Sequence, residues 1–311
     1  MPVDRPIMAE EVNMLAMTFL GVGSAFAKRN FNANILFEFW QRPWKGSKPP
    51  IPPDDTLMLD FGVTGPAALH ALKEKEGFAH YRSPEGLNRY PAIRKIFVSH
   101  QHADHIGGLE EMALMNYFVF KDPKTGKPFK AELISTINIL VNLWDHSLKG
   151  GLNTLQHRYA LLQDYFFIRA LVPGQAEKNH FFLGSYKFEI FPTDHIQIER
   201  KYDWPSYGLC VSHPTSGHSV FYSGDTRFDY PAYAQMMSAA DLCFHDCQFF
   251  DQVDSVHATI NELKMIPEEI RRKMHLYHFG DNFDAPALQP AIRQFAGLTE
   301  PQKRYVLFDG A

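Results

Sequence analysis

The stretch His100-Gln101-His102-Ala103-Asp104-His105 sets three imidazoles and a carboxylate within six residues, directly after the apolar run 93–99. A first-row cation needs nitrogen and oxygen donors converging at roughly 2.0–2.2 Å, delivered from a few rigid points. If 93–99 is a buried strand, the loop projects from the carboxyl end of a sheet, a common place for sites in α/β proteins. His100 and His102 are spaced to face one ion, and Asp104 and His105 to face a second. Gly107-Gly108 then allows a tight turn into the next helix. The plain alternative is a chance cluster in a chain with 15 histidines. Against it, four polar side chains behind a buried strand are costly unless something satisfies them.

The chain of 311 residues is long enough to bury a substantial core. A hydrophobic share of 45% with 21% charged residues is ordinary globular composition. The net charge of -4, from 31 basic and 35 acidic residues, provides no general basic field for gripping extended nucleic acid. The longest apolar stretches, such as 133–143, are interrupted by Ser135, Thr136, Asn138 and Asn142 and are too short to span a bilayer, so no membrane contact is expected. Residues 1–10 carry Asp4, Arg5 and Glu10 and do not read as a secretory signal. Three cysteines, Cys210, Cys243 and Cys247, suit a reducing compartment, and a cytoplasmic location is expected.

Outward from the loop, short β-rich runs open the chain at 15–20, 34–39 and 56–61, each closed by Gly, Pro or Asp. The segment 41–55, with Pro43, Pro49, Pro50, Pro52 and Pro53, reads as an extended loop. Residue spacing predicts helices over 66–76, 109–120, 135–146 and 232–239, and strands over 93–99, 187–191, 207–213 and 219–223. Residues 121–130, with four lysines, predict a turn or small protrusion, and Gly150-Gly151 a helix break. Strand, polar loop and helix recur in both halves. We therefore expect an α/β sandwich of two sheets covered by helices, two similar halves in one domain over 1–311, with a helical and loop insertion at about 110–180.

The loop matches the HxHxDH motif of the metallo-β-lactamase superfamily, and further motifs follow in that family's order. Phe191-Pro192-Thr193-Asp194-His195 resembles the stretch bearing the next ligand, Ser223-Gly224-Asp225-Thr226 the bridging carboxylate, and Leu276-Tyr277-His278-Phe279 the last ligand. The resemblance implies a four-layer αββα sandwich. It also implies two divalent ions, with Zn2+ expected and Mn2+ the alternative: one on His100, His102 and His195, the other on Asp104, His105 and His278, with Asp225 between them. Two such ions about 3.5–4 Å apart would activate a bridging hydroxide, which counts Asp104 among the catalytic residues. Asp60, closing the run 56–60, resembles the family's aspartate that steadies the loop.

Phe19-Leu20-Gly21-Val22-Gly23-Ser24-Ala25, Ser206-Tyr207-Gly208-Leu209 and the Gly-Asp-Thr-Arg run ending at Arg227 resemble the ribonuclease Z branch. Gly21 and Gly23 would let a phosphate approach the backbone closely. His245-Asp246-Cys247 stands where that branch carries His-Glu-Ala-Thr, and Val256-His257-Ala258-Thr259 resembles its later His-x-Thr element. Asp246 and His257 are therefore expected to pair so that His257 protonates the leaving alkoxide, although Asp246 departs from the family's glutamate and shortens the arm. Cys247 is read as an inert core thiol.

The long Gly-rich and basic arm of the transfer-RNA-processing members has no counterpart here beyond the lysines of 121–130. With the weak net charge, this shifts the expected substrate to a cyclic nucleotide or other small phosphodiester, with RNA a lesser candidate. The resemblance then points to the anti-Pycsar type members of phages and bacteria, which degrade cyclic nucleotides as homodimers in which a partner's loop closes the pocket. Phe279, Phe283, Tyr207 and Trp204 are candidates to stack a base. The alternatives are a ribonuclease Z-like RNA 3'-processing endonuclease, a lactone or thioester hydrolase on the same ions, and a non-catalytic binding module, which the intact ligand set disfavours.

Overall fold

The computed structural model describes residues 13–44, 49, 51–198, 204–213, 215–252 and 255–308. Residues 1–10 and Pro50, on which two of the readings above rest, lie outside the described residues. Strands β1 (Met14–Phe19), β2 (Ile35–Trp40) and β3 (Asp55–Leu59) form an antiparallel meander with almost every side chain buried. Strands β4 (Lys95–Phe97) and β5 (Glu132–Thr136) continue that sheet in parallel. After a small hairpin of β6 (Thr154–Leu155) and β7 (Arg158–Tyr159), β8 (Phe167–Leu171) adds the next parallel strand.

The second half repeats this plan. Strands β9 (His180–Leu183), β10 (Tyr186–Thr193), β11 (Ser206–Ser212) and β12 (Ser219–Tyr222) are antiparallel. Strands β13 (Leu242–Asp246), β14 (Met274–Tyr277) and β15 (Gly297–Leu298) then run parallel. The final strand, β16 (Arg304–Phe308), returns to pair with β1. The two seven-stranded sheets thus run β16-β1-β2-β3-β4-β5-β8 and β15-β14-β13-β12-β11-β10-β9. Both are mixed and flanked by helices, the α/β arrangement of two similar halves expected from the sequence.

Aromatic rings fill the space between the sheets. Phe37 meets Phe188 edge-on at 5.1 Å, Phe97 stacks on Phe181 at 5.6 Å, and Phe19 lies 5.3 Å from Phe244. Each such pair adds about 0.5–1.5 kcal/mol beyond the area it buries. Parallel strands need crossover connections, and helices supply several of them. Helix Tyr230–Ala239 links β12 to β13 and opens beneath Asp229, whose carboxylate accepts from the Ala232 N–H. Among the described residues no helix is long and apolar enough to cross a membrane.

Three expectations change. The run 135–146 begins as the end of β5, and its helix opens only at Ile137 (Ile137–Leu143), because the buried Leu133 and Ile134 pair between β4 and β8. Gly150-Gly151 lies inside the short helix Lys149–Leu152, where a side chain at Gly151 would strike the Glu110 carboxylate. The stretch 110–180 carries helices and loops, and it also supplies β5 and β8 to the first sheet. Residues 121–130 do form a turn, with Lys121 bridged to Pro128.

Strands β3, β4, β10, β12, β13 and β14 end at one edge, where Asp246 closes β13 and Asp60, His100, His195, Asp225 and His278 follow the other five. At the far side, Glu38 of β2 is fully buried and accepts from Arg304 Nε at 2.8 Å and Tyr81 Oη at 3.1 Å, with His80 Nε2 at 3.2 Å. Glu38→Ala leaves the Arg304 guanidinium buried without its carboxylate. We expect urea unfolding to show a loss of about 3–5 kcal/mol, against less than about 1 kcal/mol for breaking the exposed Asp145–Lys149 pair with Lys149→Ala. Equal losses would contradict the role assigned to Glu38.

Candidate metal centre

Asp60, the residue after β3, is fully buried and sits in the left-handed region at φ 58. Such a conformation costs a non-glycine residue roughly 1–3 kcal/mol and persists only where contacts over-determine it. Its carboxylate accepts from Ser99 N at 2.8 Å, Ser99 Oγ at 2.7 Å and His105 Nδ1 at 2.7 Å. Since Ser99 gives its only hydroxyl proton to Asp60, its oxygen lone pairs face His100 Nδ1 at 3.1 Å. His100 must then carry its proton on Nδ1 and direct the Nε2 lone pair inward. One carboxylate thereby orients both His100 and His105, one candidate ligand for each ion.

The loop is also clamped through its backbone. Asn34 donates to Asp104 O at 3.1 Å and accepts from Gly62 N at 3.0 Å. A side chain on Gly62 would fall 1.7 Å from Asp104 O, and one on Gly108 would fall 2.7 Å from Gly62 O. Glycine is therefore required here for close approach of two backbones. Gly107 and Gly108 themselves keep ordinary right-handed helical angles, so the tight turn read from the sequence is not their reason.

The ligand atoms converge. His102 Nδ1 lies 3.0 Å from His100 Nε2 and 3.1 Å from His195 Nε2. His105 Nε2 is 3.2 Å from Asp225 Oδ2 and 3.3 Å from Asp104 Oδ2, and His278 Nε2 is 3.2 Å from Asp104 Oδ2 and 3.3 Å from Asp225 Oδ2. Asp225 Oδ2 also lies 3.8 Å from His100 Nε2 and 4.0 Å from His195 Nε2, so one oxygen faces both sets. Four donors around a zinc-sized ion at roughly 2.0–2.2 Å are themselves spaced about 3.3–3.6 Å apart, close to these separations. His195 is fixed for the task, because its Nδ1 donates to Val256 O at 2.8 Å and leaves Nε2 as a lone pair. Asp225 Oδ1 is buried and without a hydrogen-bond partner in the protein. The donor set fits two divalent cations.

Electrostatics divides the site. Burial holds His100 well below its ordinary pKa and pushes His195 down to about 4, so the first set is neutral and ready to donate lone pairs. In the second set burial opposes charge on His278, yet Asp225, Asp104 and Asp246 outweigh it and push the pKa up to about 10. Burial likewise opposes charge on His105, and Asp225, Asp104 and Asp60 raise it well above the usual range. Asp60, Asp104, Asp225 and Asp246 are four buried carboxylates, and two divalent cations carry the matching positive charge.

Asp246 and His257 also meet. His257 Nδ1 donates to Asp246 Oδ2 at 2.7 Å, and that oxygen accepts from Thr226 N at 3.1 Å. The aspartate, shorter by one methylene than the family's glutamate, still reaches. Asp246 Oδ1 stands 3.6 Å from His278 Nδ1, so the pair is tied to the second ligand set. Cys247 is fully buried and its thiol is pushed well up by burial, in keeping with an inert core thiol.

Other readings move. The space that a side chain would take at Gly21 and Gly23 is filled by the Phe31 backbone and by Ala27, so their lack of a side chain serves packing within the chain. Phe279 is buried between Phe249 and Phe283, and Tyr207 is buried on β11. Of the four aromatic candidates only Trp204 stands against the ligands, 5.8 Å from the His102 ring. Ser99, Asn34 and Gly62 were not singled out by sequence reading, because a serine, an asparagine or a glycine at a strand end carries no pattern of its own.

Two outcomes are expected. His278, pushed up to about 10, holds a proton at pH 7 that a cation must displace, and the carboxylates around His105 raise it in the same direction. Zn2+ titration of ion-stripped protein in two buffers of different ionisation enthalpy should therefore show net proton release, with affinity falling as pH is lowered. Proton uptake, or binding indifferent to pH, would contradict the donor assignment. Asp60→Ala, which frees both His105 and Ser99, should weaken that binding about 10- to 100-fold.

The family model for anti-Pycsar protein Apyc1 matches residues 15–305. An anti-Pycsar protein Apyc1 from Paenibacillus harenae is 31% identical over 293 residues, which cover 92% of this chain and 97% of its own. The metallo-β-lactamase fold protein YhfI from Bacillus subtilis superposes with a TM-score of 0.60 at 14% identity, over 94% of this chain and 99% of that one. The short form of human tRNase Z does so with a TM-score of 0.58 at 17% identity, over 94% and 99%. Those two likenesses show the fold. The family match over nearly the whole chain, with a full-length relative above 30% identity, shows that this chain belongs to the anti-Pycsar protein Apyc1 family.

Proposed function

We propose that this chain is a dinuclear-metal phosphodiesterase that hydrolyses a cyclic nucleotide or another small phosphodiester. The observation that carries the reading is the placement of His257. Its ring stands 5.0 Å from that of His195 and 4.7 Å from that of His278, so an acid held by Asp246 adjoins both ligand sets. Membership in the anti-Pycsar family and the net charge of -4 support a small substrate over RNA.

His100, His102 and His195 would hold one cation, and Asp104, His105 and His278 the other, with Asp225 shared. Bound there, two divalent cations supply Lewis acidity toward a phosphoryl oxygen and lower the pKa of water. The chain's own groups do the rest. As an incoming water oxygen bonds to phosphorus and gives up one proton to solvent, the bond from phosphorus to the ester oxygen breaks. His257 Nε2 gives its proton to that leaving oxygen, while Asp246 stabilises the imidazolium that precedes the transfer. The side chain of His257 is 20% exposed, so it regains its proton from solvent.

Phe118, Val119, Ile137, Val141, Leu161 and Phe167 are exposed apolar residues within 118–167. We read them as the face of a homodimer, because such patches rarely stay in water. The three cysteines are free thiols, which supports a reducing, cytoplasmic setting.

Hydrolysis of bis-p-nitrophenyl phosphate should vanish with a chelator and in Asp225→Ala, and activity surviving both would sink the reading. His257→Ala should separate substrates by leaving group. With a cyclic nucleotide, whose ribose alkoxide leaves poorly, kcat should fall about 10²–10⁴-fold, whereas p-nitrophenolate needs no proton and its release should slow far less. Equal losses on both would remove His257 from the acid role. Light scattering should give a dimer that Phe118→Asp with Val141→Asp splits into monomers; a wild-type monomer would contradict the assigned face.

A further inference from the structure

Strands β13, β14 and β15 run parallel, so their starts lie at the edge opposite the metal centre. A cavity of about 430 Å³ lies there, lined by Glu268, Arg271, Arg272, Arg293, Gln294 and Phe295. These residues belong to the short helices Glu268–Arg271 and Gln289–Ile292 and to the turns that lead from them into β14 and β15. The four residues of β14 set the cavity about 13 Å from His278. Three guanidinium groups meet one carboxylate there, in a chain whose net charge is -4.

The arginines differ in what they already hold. Arg271 is half-buried: its Nε donates to Ile266 O at 2.8 Å, its Nη1 donates to Gln294 Oε1 at 2.7 Å, and its guanidinium lies 5.9 Å from the centre of the Phe295 ring. These contacts fix the group and leave Nη2, with Gln294 Nε2 beside it, without partners among the described residues. Arg272 donates to Glu268 through Nε at 2.9 Å and through Nη2, but the two side chains are 74% and 61% exposed, so the pair contributes little and its arginine can be shared. The Arg293 side chain has no hydrogen bond or ion pair among the described residues. Lys273, next to the cavity, turns its ammonium to Ser238 O and Ala240 O instead. Cations often follow a helix to offset its terminal carbonyls. Here each helix has four residues, and among the described residues neither Arg272 nor Arg293 donates from its side chain to a carbonyl, so helix ends do not account for the cluster.

We infer that this cavity binds a phosphate dianion, as free phosphate or as the monoester of a nucleotide. Guanidinium forks match phosphate oxygens two at a time, and hydrogen bonds between charged partners are the strong ones. Three cations against one carboxylate leave a surplus of two positive charges. A phosphate monoester carries about -1.5 to -2 at pH 7 and matches that surplus, whereas a diester carries a single negative charge. The positive charge is gathered in a cavity and not drawn out along a stripe, which favours a small ligand over an extended polyanion. No candidate metal ligand takes part, so the inference is independent of the phosphodiesterase reading.

The test is calorimetric titration of the metal-loaded chain with inorganic phosphate, adenosine 5'-monophosphate and dimethyl phosphate, at about 0.15 M salt so that exposed charges are screened. The first two should bind, and dimethyl phosphate should bind far more weakly. Arg272→Gln with Arg293→Gln, both at exposed positions, should weaken binding of the dianions about 10- to 150-fold and leave the urea unfolding midpoint in place. Arg293→Lys, which keeps the charge and loses the fork, should fall between wild type and Arg293→Gln. Binding that survives the double variant belongs to the metal centre. Tighter binding of the nucleotide than of inorganic phosphate assigns a nucleotide as the ligand, and equal affinities assign free phosphate. Dianion binding that is the same in wild type and double variant, or a wild type that holds dimethyl phosphate as tightly as phosphate, would overturn the inference.

Discussion

Asp225 Oδ2 is the atom on which both halves of the molecule converge. It lies within 4.0 Å of imidazole nitrogens from His100 and His195 on one side and His105 and His278 on the other, and Asp225 itself is only 1% exposed. Carboxylates and imidazoles so withdrawn from water are expensive unless opposite charge accompanies them. The fold meets that demand with Asp60, Ser99, Asn34 and Gly62, which fix the loop's backbone and tautomers. Cations held at the centre, as proposed above, would account for why so many polar groups are buried together.

The duplicated topology explains how one chain brings them there. In each half an antiparallel meander passes into parallel strands, so Asp60 after β3 occupies the place that Asp225 holds after β12. By the same correspondence the histidine loop after β4 answers to Asp246 at the end of β13. The halves have divided the labour. One supplies the compact loop of candidate ligands, and the other supplies Asp225, His278 and the Asp246–His257 pair.

Much of this was legible in the sequence where chemistry is local. His100 to His105 are readable because the donors are neighbours along the chain, and His195, Asp225 and His278 because their order follows a known series of motifs. The relay from Asp60 through Ser99 to His100 was not legible, since it depends on two strands lying side by side. Only the end of β5, Ser135 and Thr136, falls within the predicted helix, because a short apolar run bordering a helix has no decisive period. Aromatic candidates are hard to sort for a related reason: 26 phenylalanines look alike in sequence, and only packing tells buried Phe279 from exposed Phe26 and Phe250.

The central claim is that two cations are held jointly by the two halves through Asp225. Its most direct measure is elemental analysis of protein loaded to saturation and freed of excess ion, with Asp225→Ala beside the wild type. The account predicts two ions per chain in the wild type and a loss of tight binding at both positions in the variant. A single ion per chain, or two ions retained in Asp225→Ala, would contradict it.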